Sequence, residues 1–167
     1  RVHQAGFHPT AVFGALGAAA GVASALRLPD TQWFNALGIA GSMASGIIEY
    51  LAEGAWTKRM HPGWAAQAGY RAARMAQAGF TGPRTLFDGE HGFFHAFANK
   101  DGCDFGAMLD GAGKTWLAAD IAFKPYACGT MAHPYIDCAR KLVAEGVRPD
   151  DVATIECKTA EGIVHRL

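Results

Sequence analysis

Apolar residues recur at helical spacing from Thr10 to Leu28, where Val12, Leu16, Ala19, Ala23 and Leu26 fall on one face and predict a helix. Gly14, Gly17 and Gly21 lie within it. Each costs about 1 kcal/mol against Ala in a helix interior, so this helix needs close packing against a neighbour. Pro29-Asp30 ends it and caps a second predicted helix, Thr31–Glu53, whose apolar face is Phe34, Leu37, Ala40, Ala44, Ile47, Ile48 and Leu51. Gly38, Gly41 and Gly46 repeat the close-packing signature there. A third helix is predicted over Gly63–Ala78, with Arg71 and Arg74 toward solvent and Gly79 where a helix-ending glycine belongs. Phe80-Thr81-Gly82-Pro83 then reads as a loop, followed by short helical pieces at Arg84–Phe87 and His91–Ala98.

After about Gly113 the pattern changes. Thr115–Phe123 and Asp151–Thr159 read as strands, flanking an amphipathic helix over Pro134–Gly146 that uses Ile136, Ala139, Leu142 and Val143. The expected fold is therefore mainly α. A glycine-rich all-helical domain portion over residues 1–112 passes into the start of a smaller α+β (β-α-β) domain over residues 113–167.

Charge narrows the partners. With 15 basic and 15 acidic side chains there is no basic footprint for a nucleic acid, so small molecules or other copies of the chain are expected instead. A membrane hairpin is disfavoured because Arg27, Asp30, Glu49 and Glu53 interrupt the two apolar helices. Cys103, Cys128, Cys138 and Cys157 form no CxxC pair and read as reduced thiols of a cytoplasmic protein. The chain opens on Arg1 rather than Met, which suggests a piece of something longer.

Two apparent motifs carry little. Gly113-Lys114-Thr115 ends like a phosphate-binding loop, but Met108 stands where the first glycine should be. His91 and His95 have the spacing of a helical metal pair, yet no recognisable ligand set completes them, and Phe93, Phe94 and Phe97 favour a packed helix. No metal and no cofactor is expected, and no cysteines stand at iron–sulfur spacing.

The stretch Trp56–Gly69, WTKRMHPGWAAQAG, is the best candidate for chemistry. Pro62 suits the first position of a helix, which would place His61 at or beside the N-cap, with Lys58 close by. A helix N-terminus receives carboxylates and disfavours a protonated imidazole, so a neutral His beside Lys⁺ fits an anionic substrate that must lose a proton. His8-Pro9 and His133-Pro134 repeat the dipeptide, three in all where 7 His and 7 Pro in 167 residues would give fewer than one by chance. The bland alternative is a solvated lysine and three helix starts in a non-catalytic helical dimerisation module.

Five phrases in order resemble one family: GFHPTAVFGALGAAAG at Gly6–Gly21, NALGIAGSMASG at Asn35–Gly46, WTKRMHPGWAAQAG at Trp56–Gly69, AGFTGPRTLFDGEHGFF at Ala78–Phe94 and FKPYACGTMAHPYIDCA at Phe123–Ala139. They are similar to the MmgE/PrpD family, which includes 2-methylcitrate dehydratase, cis-aconitate decarboxylase and iminodisuccinate epimerase. The resemblance implies a homodimeric, cofactor-free enzyme with a large helical domain, a smaller α+β lid and a pocket between them, of which this chain is a fragment. It implies that His8, Lys58 and His61 are catalytic and bind substrate, with His133 binding substrate from the lid. The implied activity is a lyase on a small di- or tricarboxylate, first a 2-methylcitrate dehydratase-like hydro-lyase working by α-proton abstraction. An epimerase moving the same proton and a cis-aconitate-type decarboxylase are the alternatives. Gly129 stands where some decarboxylases of the family carry a further His, which counts modestly against decarboxylation.

Overall fold

The computed structural model describes residues 1–98 and 103–161. The chain divides into two compact units, Arg1–Asp110 and Gly111–Leu167. In the first, α1 (Pro9–Ala25), α2 (Asp30–Met43), α3 (Tyr50–Glu53), α4 (Thr57–Gln77) and α5 (Phe93–Ala98) follow in order, and α1, α2 and α4 pack on one another, most extensively α1 on α4.

The core is built of small residues. Ala11, Val12, Ala15, Leu16, Ala19 and Ala23 of α1 face Ala65, Ala68, Ala72, Ala73 and Ala76 of α4, with Ala36, Ile39 and Ala40 of α2 beside them. Small side chains let helix axes come close, and the closest approach is at Gly69, where an added Cβ would fall on Ala18 and the backbone N of Ala19. A Cβ at Gly14 would lie 3.1 Å from Ala65. His8 meets His61, Gly14 meets Ala65 and Ala18 meets Gly69, so contacts advance together along both chains. The two helices therefore run parallel, and both begin at the same end of the unit.

The glycine expectation holds only in part. Gly17 and Gly21 face open space, whereas Gly38 lies against the backbone of Gly82 and Pro83, and Gly41 against the Leu86 side chain. The partner of α2's glycines is thus the loop after α4, which is anchored by a 3.3 Å hydrogen bond from Gly82 N–H to Asn35 Oδ1.

The helix expected over Thr31–Glu53 is not continuous. It stops at Met43, and Gly46, at φ +121, turns the chain so that Phe7 and Ile47 form an isolated antiparallel bridge. His8 N–H donates to Gly46 O at 2.8 Å and Ile48 N–H to Gly6 O at 3.0 Å. These bonds draw the segment away from a helical course and leave Ile47 exposed instead of on an apolar face.

Gly79 ends α4 as expected. It has φ +92, its N–H bonds Ala76 O, and Phe80 N–H bonds Met75 O, the paired closure that a left-handed residue permits. Gly79→Ala is expected to lose about 1 kcal/mol, since an L residue in this region costs roughly that much; thermal unfolding followed by circular dichroism checks it.

In the second unit, Leu117–Asp120, Thr130–Ala132 and Pro149–Asp151 are single 3-10 turns and α6 spans His133–Ala144. The helix expected at Pro134–Gly146 is there, but the two strands are not. Thr115–Phe123 turns at Leu117–Asp120, and residues 152–160 lack regular structure. A strand is defined by its ladder partner, and among the described residues no neighbouring strand pairs either segment. Trp116, Leu117, Ile121 and Phe123 stay exposed, so the alternation that suggested a strand is left uncovered. No described helix is long and apolar enough to cross a membrane.

Candidate active site

His61 does not cap a helix. Helix α4 begins four residues earlier, at Thr57, so Pro62 lies inside it and leaves the Lys58 carbonyl without its helical donor. Both residues are exposed, and water can take that carbonyl. The shift changes what His61 is for. It heads the stripe His61, Ala65, Ala68/Gly69, Ala72 and Ala76 that α4 buries against α1, and only 4% of it remains exposed. His8 does sit at the N-cap of α1, with Pro9 at the first position and no side-chain cap bond.

Because α1 and α4 run parallel, the two imidazoles meet, with Nδ1 of His8 2.9 Å from Nδ1 of His61. Tyr50 closes the third side, its ring edge-on to His8 at 5.7 Å and to His61 at 5.6 Å between centroids. Lys58 Nζ stands 5.5 Å above the Tyr50 ring. Gly46 completes the cage. A Cβ there would lie 2.5 Å from Ala11 Cβ and 3.3 Å from the His61 ring, so the turn needs glycine for space as well as for its φ.

An open cleft of about 600 Å³ lies over this cage, lined by Ser45, Tyr50, Met60, His61 and Trp64 among others. His61 and Tyr50 line it; His8, which is less buried than His61, does not, and Lys58 joins the group through Tyr50 rather than as a wall of the cleft. Trp64 Nε1 donates to Ser45 Oγ at 3.1 Å across it. Glu49 and Glu53 also line it and bring negative charge toward the mouth.

Burial lowers the pKa of His8, and the charges of His61, Lys58 and His3 lower it further; burial lowers that of His61. The amino end of α1 opens at His8 and acts in the same direction there. Burial raises the Tyr50 phenol, which stays a neutral O–H.

A stability consequence follows. The unfolded chain binds protons at these histidines near pH 6.5 and the folded chain only at lower pH, so the stability present above pH 6.5 is lost as pH falls through the lowered folded values. The thermal midpoint is expected to drop on acidification from neutral pH, and less steeply in His8→Asn. The other ionisable groups around the pair are His3, Lys58, Tyr50, Glu49 and Glu53.

His133 belongs to the second unit, at the first turn of α6. Its ring stands edge-on to Tyr126 at 5.3 Å, and its Nε2 is buried without a partner. The Tyr126 O–H donates to Asp137 Oδ1, and Arg140 Nη1 donates to the Tyr126 oxygen at 3.1 Å, tying the Phe123–Ala127 stretch to α6. His91 and His95 lie 6.1 Å apart between ring centroids, beside the Phe93/Phe94/Phe97 cluster.

Tyr50 and Gly46 were not singled out as site residues by the sequence. Tyr50 lies in a four-residue helix without a motif, and only the turn at Gly46 brings it to the histidines. One signal was available: the small residues 65, 68, 69, 72 and 76 have a helical period whose next position toward the N-terminus is His61.

The first unit is thus an alanine- and glycine-packed helical domain in which a buried imidazole and a part-buried one meet near the amino ends of two parallel helices. The MmgE/PrpD N-terminal domain model matches residues 1–106, and the chain belongs to the MmgE/PrpD family. Human cis-aconitate decarboxylase is 35% identical over 145 residues, 83% of this chain and 29% of that protein. The mouse cis-aconitate decarboxylase is 34% identical over 146 residues, 86% and 29% of the two chains. The cis-aconitate decarboxylase-like protein oryM of Aspergillus oryzae is 31% identical over 142 residues, 82% and 29%. The chain thus spans 29% of the length of these relatives.

Proposed function

We propose that this chain is the part of a lyase that holds a small di- or tricarboxylate over an imidazole pair, where a proton moves at the carbon next to a carboxylate. The observation that carries it is the His8–His61 contact at 2.9 Å beneath an open cleft, with Lys58 beside it. Such chemistry needs a base near neutrality and a cation for the charge that develops, and a neutral buried histidine with an adjacent lysine supplies both. In this reading Lys58 takes a substrate carboxylate, His61 exchanges the proton, His8 supports it and His133 contributes from its own unit. No step calls on a cofactor, and the working form is a homodimer.

Decarboxylation of cis-aconitate comes first, because three relatives at 31–35% identity carry that activity, or a likeness to it, in their names. Dehydration of a 2-methylcitrate-like hydroxy acid stays as the second reading on the strength of Gly129. An epimerase would use the same proton. Proton NMR of the full-length protein in D₂O separates these outcomes. Loss of the cis-aconitate olefin with carbon dioxide release supports decarboxylation. A new olefin from 2-methylcitrate or citrate supports dehydration, and α-deuteration of iminodisuccinate without olefin supports epimerisation. No change with any of them overturns the substrate class.

A further inference from the structure

The contact between His8 and His61 joins two atoms of the same kind. A hydrogen bond between two Nδ1 atoms holds a single proton, so one imidazole must be the Nδ1–H tautomer with a bare Nε2, and the other must accept at Nδ1 and carry its proton on Nε2. The two rings are therefore locked in opposite tautomers, and neither can change without the other. Among the described residues the one buried side-chain nitrogen or oxygen lacking a partner is His133 Nε2, so the distal Nε2 atoms of His8 and His61 are not sealed away. His61 lines the cleft and is otherwise buried, whereas His8 lies off the cleft and is only part-buried, open to solvent. Tyr50, edge-on to both, holds their relative tilt.

We infer that His8 and His61 work as one two-imidazole proton relay, with His61 the ring that exchanges a proton with substrate and His8 the ring that passes it on. In the abstraction direction the C–H bond breaks, its electron pair stays on carbon, and the proton joins the bare Nε2 of His61. The His61 Nδ1 proton crosses to Nδ1 of His8, and the Nε2 proton of His8 leaves to water. Both rings end neutral with tautomers exchanged, and one proton has moved from carbon to solvent. Run backwards, the same transfers deliver a solvent proton to carbon, as a decarboxylation requires. A lone buried imidazole would hold the abstracted proton and hand it back to the same carbon. The direction of use rests on the lyase reading above, but the tautomer lock does not.

The test has two parts. Long-range ¹H–¹⁵N spectra of histidine-labelled protein at neutral pH should show one of the pair as the Nδ1–H tautomer and the other as Nε2–H, with the survivor relaxing to Nε2–H in either single His→Ala variant. Two Nε2–H rings in the unsubstituted protein would overturn the lock. In the full-length enzyme with whichever acid it converts, His8→Gln should lower kcat at least about tenfold at unchanged KM, a fraction of what loss of a general base costs. It should also reduce exchange of the substrate-derived proton with D₂O relative to turnover. A merely structural His8 would leave that ratio unmoved and overturn the relay. If no acid reacts, the lyase reading fails while the spectra still decide the lock.

Discussion

Replacing Lys58 with methionine in the full-length protein is expected to raise KM for the carboxylate substrate roughly ten- to a hundredfold, the equivalent of one charge-assisted hydrogen bond of about 1.5–3 kcal/mol. Methionine keeps much of the unbranched stem and removes the charge. Lys58 is exposed, and no described carboxylate lies within ion-pair distance of its Nζ, so its charge serves no internal pair. Loss of an exposed lysine of this kind should leave the thermal midpoint nearly where it was. A second readout is electrostatic. Lys58 is one of the charges that lower the His8 pKa, so the variant should bring His8 back toward the usual histidine value, visible in an NMR titration. Unchanged KM with an unmoved His8 titration would remove Lys58 from the site altogether.

The helices were legible where one face of a period meets one neighbour. Val12, Leu16, Ala19 and Ala23 are buried as their spacing requires, though Leu26, just past the end of α1, is exposed, and Gly79 ends α4 as its position suggests. What the pattern could not show is which neighbour a face meets. Ile47 and Leu51 continue the apolar face of α2 in sequence, but Gly46 takes the chain out of the helix to bond beside His8. Pro62 misled as well: proline favours a first turn, but here it stands at the sixth position of α4, where it leaves the exposed Lys58 carbonyl without its helical donor. The two expected strands rested on alternation alone, and alternation does not supply the partner that makes a strand.

For the candidate site, the sequence offered residues and not their arrangement. His8, Lys58 and His61 were recognisable from HPT and TKRMHPG, and the structure gathers all three around Tyr50. Which of the two imidazoles is buried was not readable. That His61 is buried under the cleft while His8 stays part-exposed beside it follows from the parallel run of α1 and α4, a tertiary property fixed by Gly69 and its neighbours.

Two substitutions of the same chemistry test that dependence with opposite signs. Gly17→Ala places a methyl into open space in the middle of α1 and is expected to stabilise the chain by about 1 kcal/mol, the helix-propensity difference between the residues. Gly69→Ala gains the same propensity, yet its Cβ would meet Ala18 Cβ and the Ala19 N, with the Ala18 carbonyl carbon at 2.7 Å. Backbone cannot swing aside as a flexible side chain can, so α1 and α4 must separate, at an overpacking cost of about 1–3 kcal/mol. The net result is expected to be a lower thermal midpoint for Gly69→Ala and a higher one for Gly17→Ala. The separation should also lengthen the His8–His61 contact at the end of the same interface, releasing both rings to the Nε2–H tautomer in the labelled spectra. Stabilisation by Gly69→Ala, or destabilisation with the tautomer pair intact, would show that the close helix contact is not what brings the two imidazoles together.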